Sequence, residues 1–128
     1  MARSYPLTRV GNLLVARAAI SGPGGTNVIN LLVDTGSTYT ILPVEVLESI
    51  GLSPAKSKEH VRIATGSGYI IAPRVTIDKL HTLGKQFRSK ATIAHTLPFG
   101  GPIDGLLGMD LLVQMKARIV TAKGRIEF

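Results

Sequence analysis

The chain has 128 residues, 45% of them apolar, and it contains no cysteine. That length suits one domain spanning residues 1–128 with a real core; disulfide stapling, a thiolate nucleophile and the usual structural zinc sites are excluded. Lys and Arg number 15 against 8 acidic residues, a net charge of +7, yet the densest basic cluster (Lys79, Lys85, Arg88, Lys90) is not interleaved with stacking aromatics. A solvated basic face is therefore expected, and no nucleic-acid partner.

Met1 to Pro6 runs into no apolar block of the kind a signal peptide needs. Arg17, Asn30 and Asp34 interrupt the most apolar region before it reaches the length of a bilayer span. The expectation is a soluble, cytoplasmic protein, or a soluble domain of a larger one, with no membrane segment in this chain.

Leu13 to Ile20 is apolar enough for a strand, and Ser21-Gly22-Pro23-Gly24-Gly25 breaks it with turn formers. Val28 to Val33 resumes as a near-continuous apolar run, as expected where both faces are buried. The two form a hairpin. Thr40-Ile41-Leu42 is a short β-prone segment. Pro43 to Ile50 reads as a helix: proline suits its first turn, Val44, Leu47 and Ile50 share a face, and Gly51 ends it. Val61 to Thr65 and Tyr69 to Ala72 flank Gly66-Ser67-Gly68, a strong hairpin signal. Val75 to Ile77 and Ala91 to Ala94 are further strands, and Phe99-Gly100-Gly101-Pro102 is a loop. Ile103 to Gly108 leads into a short helix from about Asp110 to Gln114. Ile119 to Thr121 and Arg125 to Phe128 close the chain as a hairpin turning at Lys123-Gly124. Many short strands and little helix predict a mainly β fold.

The most informative feature is an Asp at the end of a buried strand, followed by Thr, Gly and Ser. The apolar run delivers the Asp34 carboxylate to a defined place, and Gly36 permits close approach of backbone or substrate. Hydroxyls of Thr35 and Ser37 are available to hold the loop. One carboxylate cannot both activate a water and protonate a leaving amine, whereas two neighbours can, because they share a proton. This chain carries one such motif. A second copy, brought up about a two-fold axis, would supply the other.

Leu31-Leu32-Val33-Asp34-Thr35-Gly36-Ser37 resembles the active-site loop of retropepsin-like aspartic proteases, and Leu106-Leu107-Gly108 resembles their second signature, which packs behind that loop. A glycine-tipped hairpin lies between them, as the family's flap does. The likeness runs from about Leu13 to Phe128, closest to the bacterial and retrotransposon-like branch. It implies a closed, barrel-like β lobe with a flap and short helices, working as a homodimer on peptide or protein substrates. Asp34 and its mate would activate the lytic water, with no cofactor or metal. Thr35 would cross-link the two loops, Gly36 would accept substrate backbone, and Ser37 would brace the Asp34 carboxylate. Leu32, Ile103 and Leu106 would line apolar pockets, Gly66, Ser67 and Gly68 would form the flap tip, and the chain end from Ile119 would carry dimer contacts.

The sequence departs from the retroviral pattern at Thr38 and Met109, where an acidic residue and an arginine usually pair as ions. On local grounds Gly66-Ser67-Gly68 is equally a bare turn, and Tyr69 is equally a substrate contact or a packed strand aromatic. Asp104 lacks the Thr-Gly context and reads as a loop residue; Asp110 reads as the N-cap of its helix. His60, His81 and His95 show no ligand spacing. The implied activity is an endopeptidase cutting near apolar residues. The same fold could instead serve as a non-catalytic dimerisation or peptide-binding module.

Overall fold

The computed structural model describes residues 3–65, 68–98 and 101–128. The N-terminal part forms two short strands, β1 (Ser4–Pro6) and β2 (Thr8–Val10), followed by the long hairpin β3 (Leu13–Gly22) and β4 (Gly25–Val33). β5 (Ile41–Leu42) leads into helix α1 (Val44–Ser49), and a 3-10 turn covers Pro54–Lys56. Then come β6 (His60–Thr65), β7 (Gly68–Thr82), β8 (Lys85–Ala94) and β9 (Gly105–Leu107). Helix α2 (Met109–Gln114) and the closing strands β10 (Arg118–Val120) and β11 (Arg125–Glu127) complete the chain. The fold is mainly β, as the alternation of short apolar runs and turns predicts.

Six strands close on themselves. β3 pairs with β4, β4 with β9, β9 with β5, β5 with β8 and β8 with β7, and β7 returns to β3 through Ala18 to Ser21 against Lys79 to Thr82. Closure removes the exposed edges of an open sheet. Leu31, Ile77, Leu80 and Leu107 are fully buried in the main core, which α1 extends with Leu47 and Ile50. Pro43 stands at the N-cap of α1, and Gly51 leaves the helix at φ +88°, a conformation that favours glycine.

β7 is a single 15-residue strand where two separate strands are predicted. Residues up to Pro73 pair with β6, and from Arg74 onward the strand pairs with β8. Pro73, which has no N–H, falls where the strand changes partners, so its strand-breaking signal marks a hand-over and not an end. The β7–β8 register runs unbroken on either side of Ser89, from Ile77↔Lys90 to Lys79↔Arg88, although Ser89 itself adopts φ +48°. β1 and β2 carry little sequence signal and depend on partners: β1 on β11, and β2 on the start of β3.

β1, β11 and β10 form a separate three-stranded sheet with β11 in the middle. Ile126 at its centre is fully buried, and Tyr5 packs edge-on against Phe128 at 5.9 Å. Within one chain both edges of β11 are thus occupied. The chain end expected to carry dimer contacts also has a structural place within one chain.

Candidate active site

The Asp34 loop is held from behind by β9, which lies parallel to β4 in the register Leu31↔Gly105, Leu32↔Leu106, Val33↔Leu107, and antiparallel to β5 through Ile41↔Leu106. The second signature is therefore wedged between the strand that enters the loop and the strand that leaves it. Asp34 N donates to Leu107 O at 3.0 Å, and Met109 N donates to Ser37 O at 2.8 Å, so both ends of the loop are tied to the same segment. This needs glycine at 108: a Cβ there would stand 2.3 Å from Tyr39 O and 3.0 Å from Ser37 O.

Within the loop Gly36 N donates to Asp34 Oδ1 at 2.8 Å. Ser37 does not brace that carboxylate; its hydroxyl donates to Tyr39 O at 2.7 Å and shapes the turn instead. Asp34 is half-buried, while Thr35 and Gly36 are exposed on the isolated chain.

Asp34 faces a cleft of about 500 Å³ lined by Ser37, Thr38, Tyr39, Ile41, Ile63, Ile70, His95, Leu97 and Leu106, among others. Asp34 is the sole acidic side chain among the described residues that line it. The antiparallel pair β6–β7 forms one wall. Its inner face carries Val61 and Ile63 against Ile70 and Ala72, and Val61, Ile63 and Ala72 join a second apolar cluster with Ile41, Ile93 and Leu106. Its outer face carries Tyr69 and Ile71, while Arg62 reaches both Tyr69 and the lining of the cleft. Tyr69 and Ile71 are each 70% exposed, and the Arg62 guanidinium stacks on the Tyr69 ring at 4.9 Å. Tyr69 is thus neither packed in the core nor turned toward the cleft. Gly68 opens β7, whereas Gly66 and Ser67 lie outside the described residues, as do Phe99 and Gly100.

Of the other residues singled out, Leu106 lines the cleft. Leu32, in register with Leu106, packs against the same apolar cluster and lines a neighbouring groove with Leu13, Leu14, Val33, Thr35 and Ile119. Ile103 is buried at 7% exposure and is not part of the cleft wall. Asp104 is a structural loop residue: its Oδ2 accepts from Asn30 N at 2.8 Å while its own N donates to Asn30 O at 2.9 Å.

Asp110 is not the N-cap of α2, a place taken by Gly108 without a side-chain cap. Its Oδ1 accepts from Thr40 Oγ1 at 2.8 Å, and its Oδ2 pairs with Lys90 Nζ at 3.2 Å. Thr40 Oγ1 also accepts from Gly108 N at 3.2 Å. A charged link between β8 and α2 thus stands one residue along from Met109, although the Thr38/Met109 positions carry no ions. Lys90 is correspondingly not a solvated member of the basic cluster, and Lys85 lies over the Phe128 ring at 4.7 Å.

Sequence reasoning missed Tyr39, Ile41, Ile63, Ile70, His95 and Leu97 as cleft residues. Ile63 and Ile70 were within reach through hairpin alternation. His95 and Leu97 continue the alternation of Ile93 beyond the end of β8, and only the pairing of β5 with β8 brings them to the cleft. Among the described residues no group of three His, Cys, Asp or Glu side chains is placed to hold a metal ion, and no helix is long and apolar enough to cross a membrane.

An aspartate at the end of a buried strand, backed by an apolar-apolar-glycine strand and facing a walled cleft, is the arrangement that the sequence resemblance implies. The comparisons agree. The aspartyl protease family matches residues 16–111, and the chain belongs to that family. No match was found among curated proteins. Among solved structures, a retropepsin-like aspartic protease from Rickettsia conorii matches with TM-score 0.73 at 22% identity, over 99% of this chain and 90% of that one. The fold is accordingly retropepsin-like.

Proposed function

We propose that this chain is an aspartic endopeptidase whose active site is completed by a second copy of itself. The observation that carries the reading is the solitary carboxylate: Asp34 is anchored through its own N–H and by Gly36 N, it faces the cleft, and no other acid among the described residues lines that space. Chemistry with a single carboxylate would stop halfway. Two Asp34 side chains at a two-fold axis would hold one water and one shared proton between them.

In that arrangement one carboxylate takes a proton from the water as it attacks the scissile carbonyl carbon. The partner carboxyl gives its proton to the carbonyl oxygen, so that a tetrahedral diol forms. The C–N bond then breaks as the amide nitrogen takes the proton held by the first carboxyl and a diol hydroxyl returns one to the partner. Thr35, exposed beside Asp34, is placed to meet its counterpart across the axis. Gly36 is open for substrate backbone, and Ile41, Ile63, Ile70, Leu97 and Leu106 supply an apolar wall for side chains flanking the cut. The substrates are peptides or proteins, cut near apolar residues.

The test compares wild type with Asp34→Asn on a mixed peptide library from acid to neutral pH, with and without pepstatin, while sedimentation reports the oligomeric state. Cleavage by wild type should be inhibited by pepstatin, absent in Asp34→Asn, and should decline at high pH as the shared proton is lost. A folded, dimeric wild type that cuts nothing would turn the reading toward a peptide-binding module.

A further inference from the structure

The cleft wall is apolar, but the ionisable groups along it are unevenly distributed. Asp34 is its only acid among the described residues, and its place is at the scissile bond. Thr38, where retroviral relatives carry an acid, lines the same space without charge. His95 also lines the cleft. The alternation Ile93, His95, Leu97 turns it to the side occupied by Ile41 and Leu106, and its backbone N donates to Leu42 O at 3.0 Å, which fixes the segment beside β5. The side chain is half-buried, and no described group hydrogen-bonds its imidazole.

The nearby charges do not neutralise it. On α1, Glu45 accepts a hydrogen bond from Oγ1 of Thr96, the residue after His95, at 2.9 Å. Arg62, on β6, stacks on Tyr69 and also lines the cleft, where it adds a positive charge. Tyr39 contributes a phenol to the cleft. An imidazole N–H donates whichever way the ring is protonated, and the His95 ring lines the cleft. A carboxylate entering it would gain a charge-assisted hydrogen bond while its methylenes lie along Ile41 and Leu97.

We infer that His95 heads a subsite that accepts a glutamate side chain of the substrate, making the protease selective for an acidic residue at one position beside the cut. This rests on the proposed reading of the cleft as the peptide site. His95 acts there as a specificity residue in contact with substrate.

The experiment uses the full chain and a positional-scanning peptide library in which Glu, Gln and Leu alternate at each position. Cleavage products are read by mass spectrometry at pH 5 and pH 8. At one position Glu should exceed Gln by roughly five- to tenfold, about the advantage of a charge-assisted over a neutral hydrogen bond. His95→Gln should flatten the ratio at both pH values, and His95→Arg should keep the Glu preference at both. Equal use of Glu and Gln by wild type, or a preference that survives His95→Gln, overturns the subsite and leaves the protease reading intact. If wild type cuts nothing, the protease reading fails by itself. The same mixtures, fluorescein-labelled, are then compared for binding to Asp34→Asn by anisotropy. A Glu preference that His95→Gln abolishes still supports the subsite, and its absence overturns it.

Discussion

Thr40 is polar and yet fully buried, and its hydroxyl serves two masters: it donates to Asp110 Oδ1 and accepts from Gly108 N. A buried polar group is tolerable when it is satisfied and becomes a liability when one partner is removed. Thr40→Val keeps the shape but orphans the Gly108 N–H and removes a donor from the Asp110 carboxylate. It should lower stability by about 1–3 kcal/mol, read from urea unfolding, and Thr40→Ser should recover most of that. An unchanged unfolding midpoint in Thr40→Val would mean that the network contributes little. Because Gly108 also carries the turn behind the Asp34 loop, any loss should be accompanied by weaker peptide cleavage. Ser37 teaches a related lesson. A hydroxyl two or three residues from a carboxylate is expected to reach it, but here the backbone carbonyl of Tyr39 is the nearer acceptor and Gly36 N takes the carboxylate.

At the scale of elements, β9 and β11 each occupy a central place that their three residues do not advertise. β9 is hydrogen-bonded on both sides, by β4 and β5, which is why Gly105, Leu106, Leu107 and Gly108 are all buried. β11 is likewise flanked by β1 and β10. Deleting the closing hairpin would therefore remove Ile126 from the core as well as any contact with a second copy, and a lost activity could not be assigned to either. Ile126→Ala isolates the packing effect: it should cost about 2–5 kcal/mol, the range for truncating a buried aliphatic side chain. Thermal unfolding measures it, and a shift well below that range would place β11 at the periphery of the fold. Lys90 on β8 and Asp110 on α2 form a further tie between elements, with side chains only 16% and 21% exposed. Partial burial strengthens such a pair relative to a surface one.

For the whole molecule, the proposed dimer needs a face, and α2 presents one. Met109 and Val113, four residues apart, share its outward side at 36% and 65% exposure. With Thr35, Leu112, Ala117 and Ile119 they line a groove beside the Asp34 loop. Val113→Glu alters only an exposed position, so the fold should persist. A charge in an apolar contact should nevertheless leave the protein monomeric by sedimentation and inactive in peptide cleavage. A variant that remained dimeric and active would exclude this face. Two copies each carrying +7 repel one another, and salt screens that repulsion. Dimerisation of the wild type should accordingly tighten between low and physiological ionic strength, the reverse of an interface held together by opposite charges.

What was legible in the sequence is whatever local pattern encodes. The apolar run ending in Asp34-Thr35-Gly36-Ser37, the Leu106-Leu107-Gly108 signature, the Pro43-to-Gly51 helix and the glycine-bearing turns follow from burial, φ preferences and alternation acting over a few neighbouring residues. They were sufficient for the mainly β class, the retropepsin-like fold and the candidate carboxylate. The partnerships formed across the chain were decided by the tertiary structure alone. Pairing of β5 with β8 carries His95 and Leu97 to a cleft shared with a loop about sixty residues earlier, and a separate sheet sandwiches β11 between β1 and β10. The approach of α2 to β8 makes Asp110 the counter-ion of Lys90 where the sequence suggests a helix cap. Hydrogen-bond donors and charges choose the partner that is nearest in space once the core has packed, and distance along the chain carries almost no information about which partner that is.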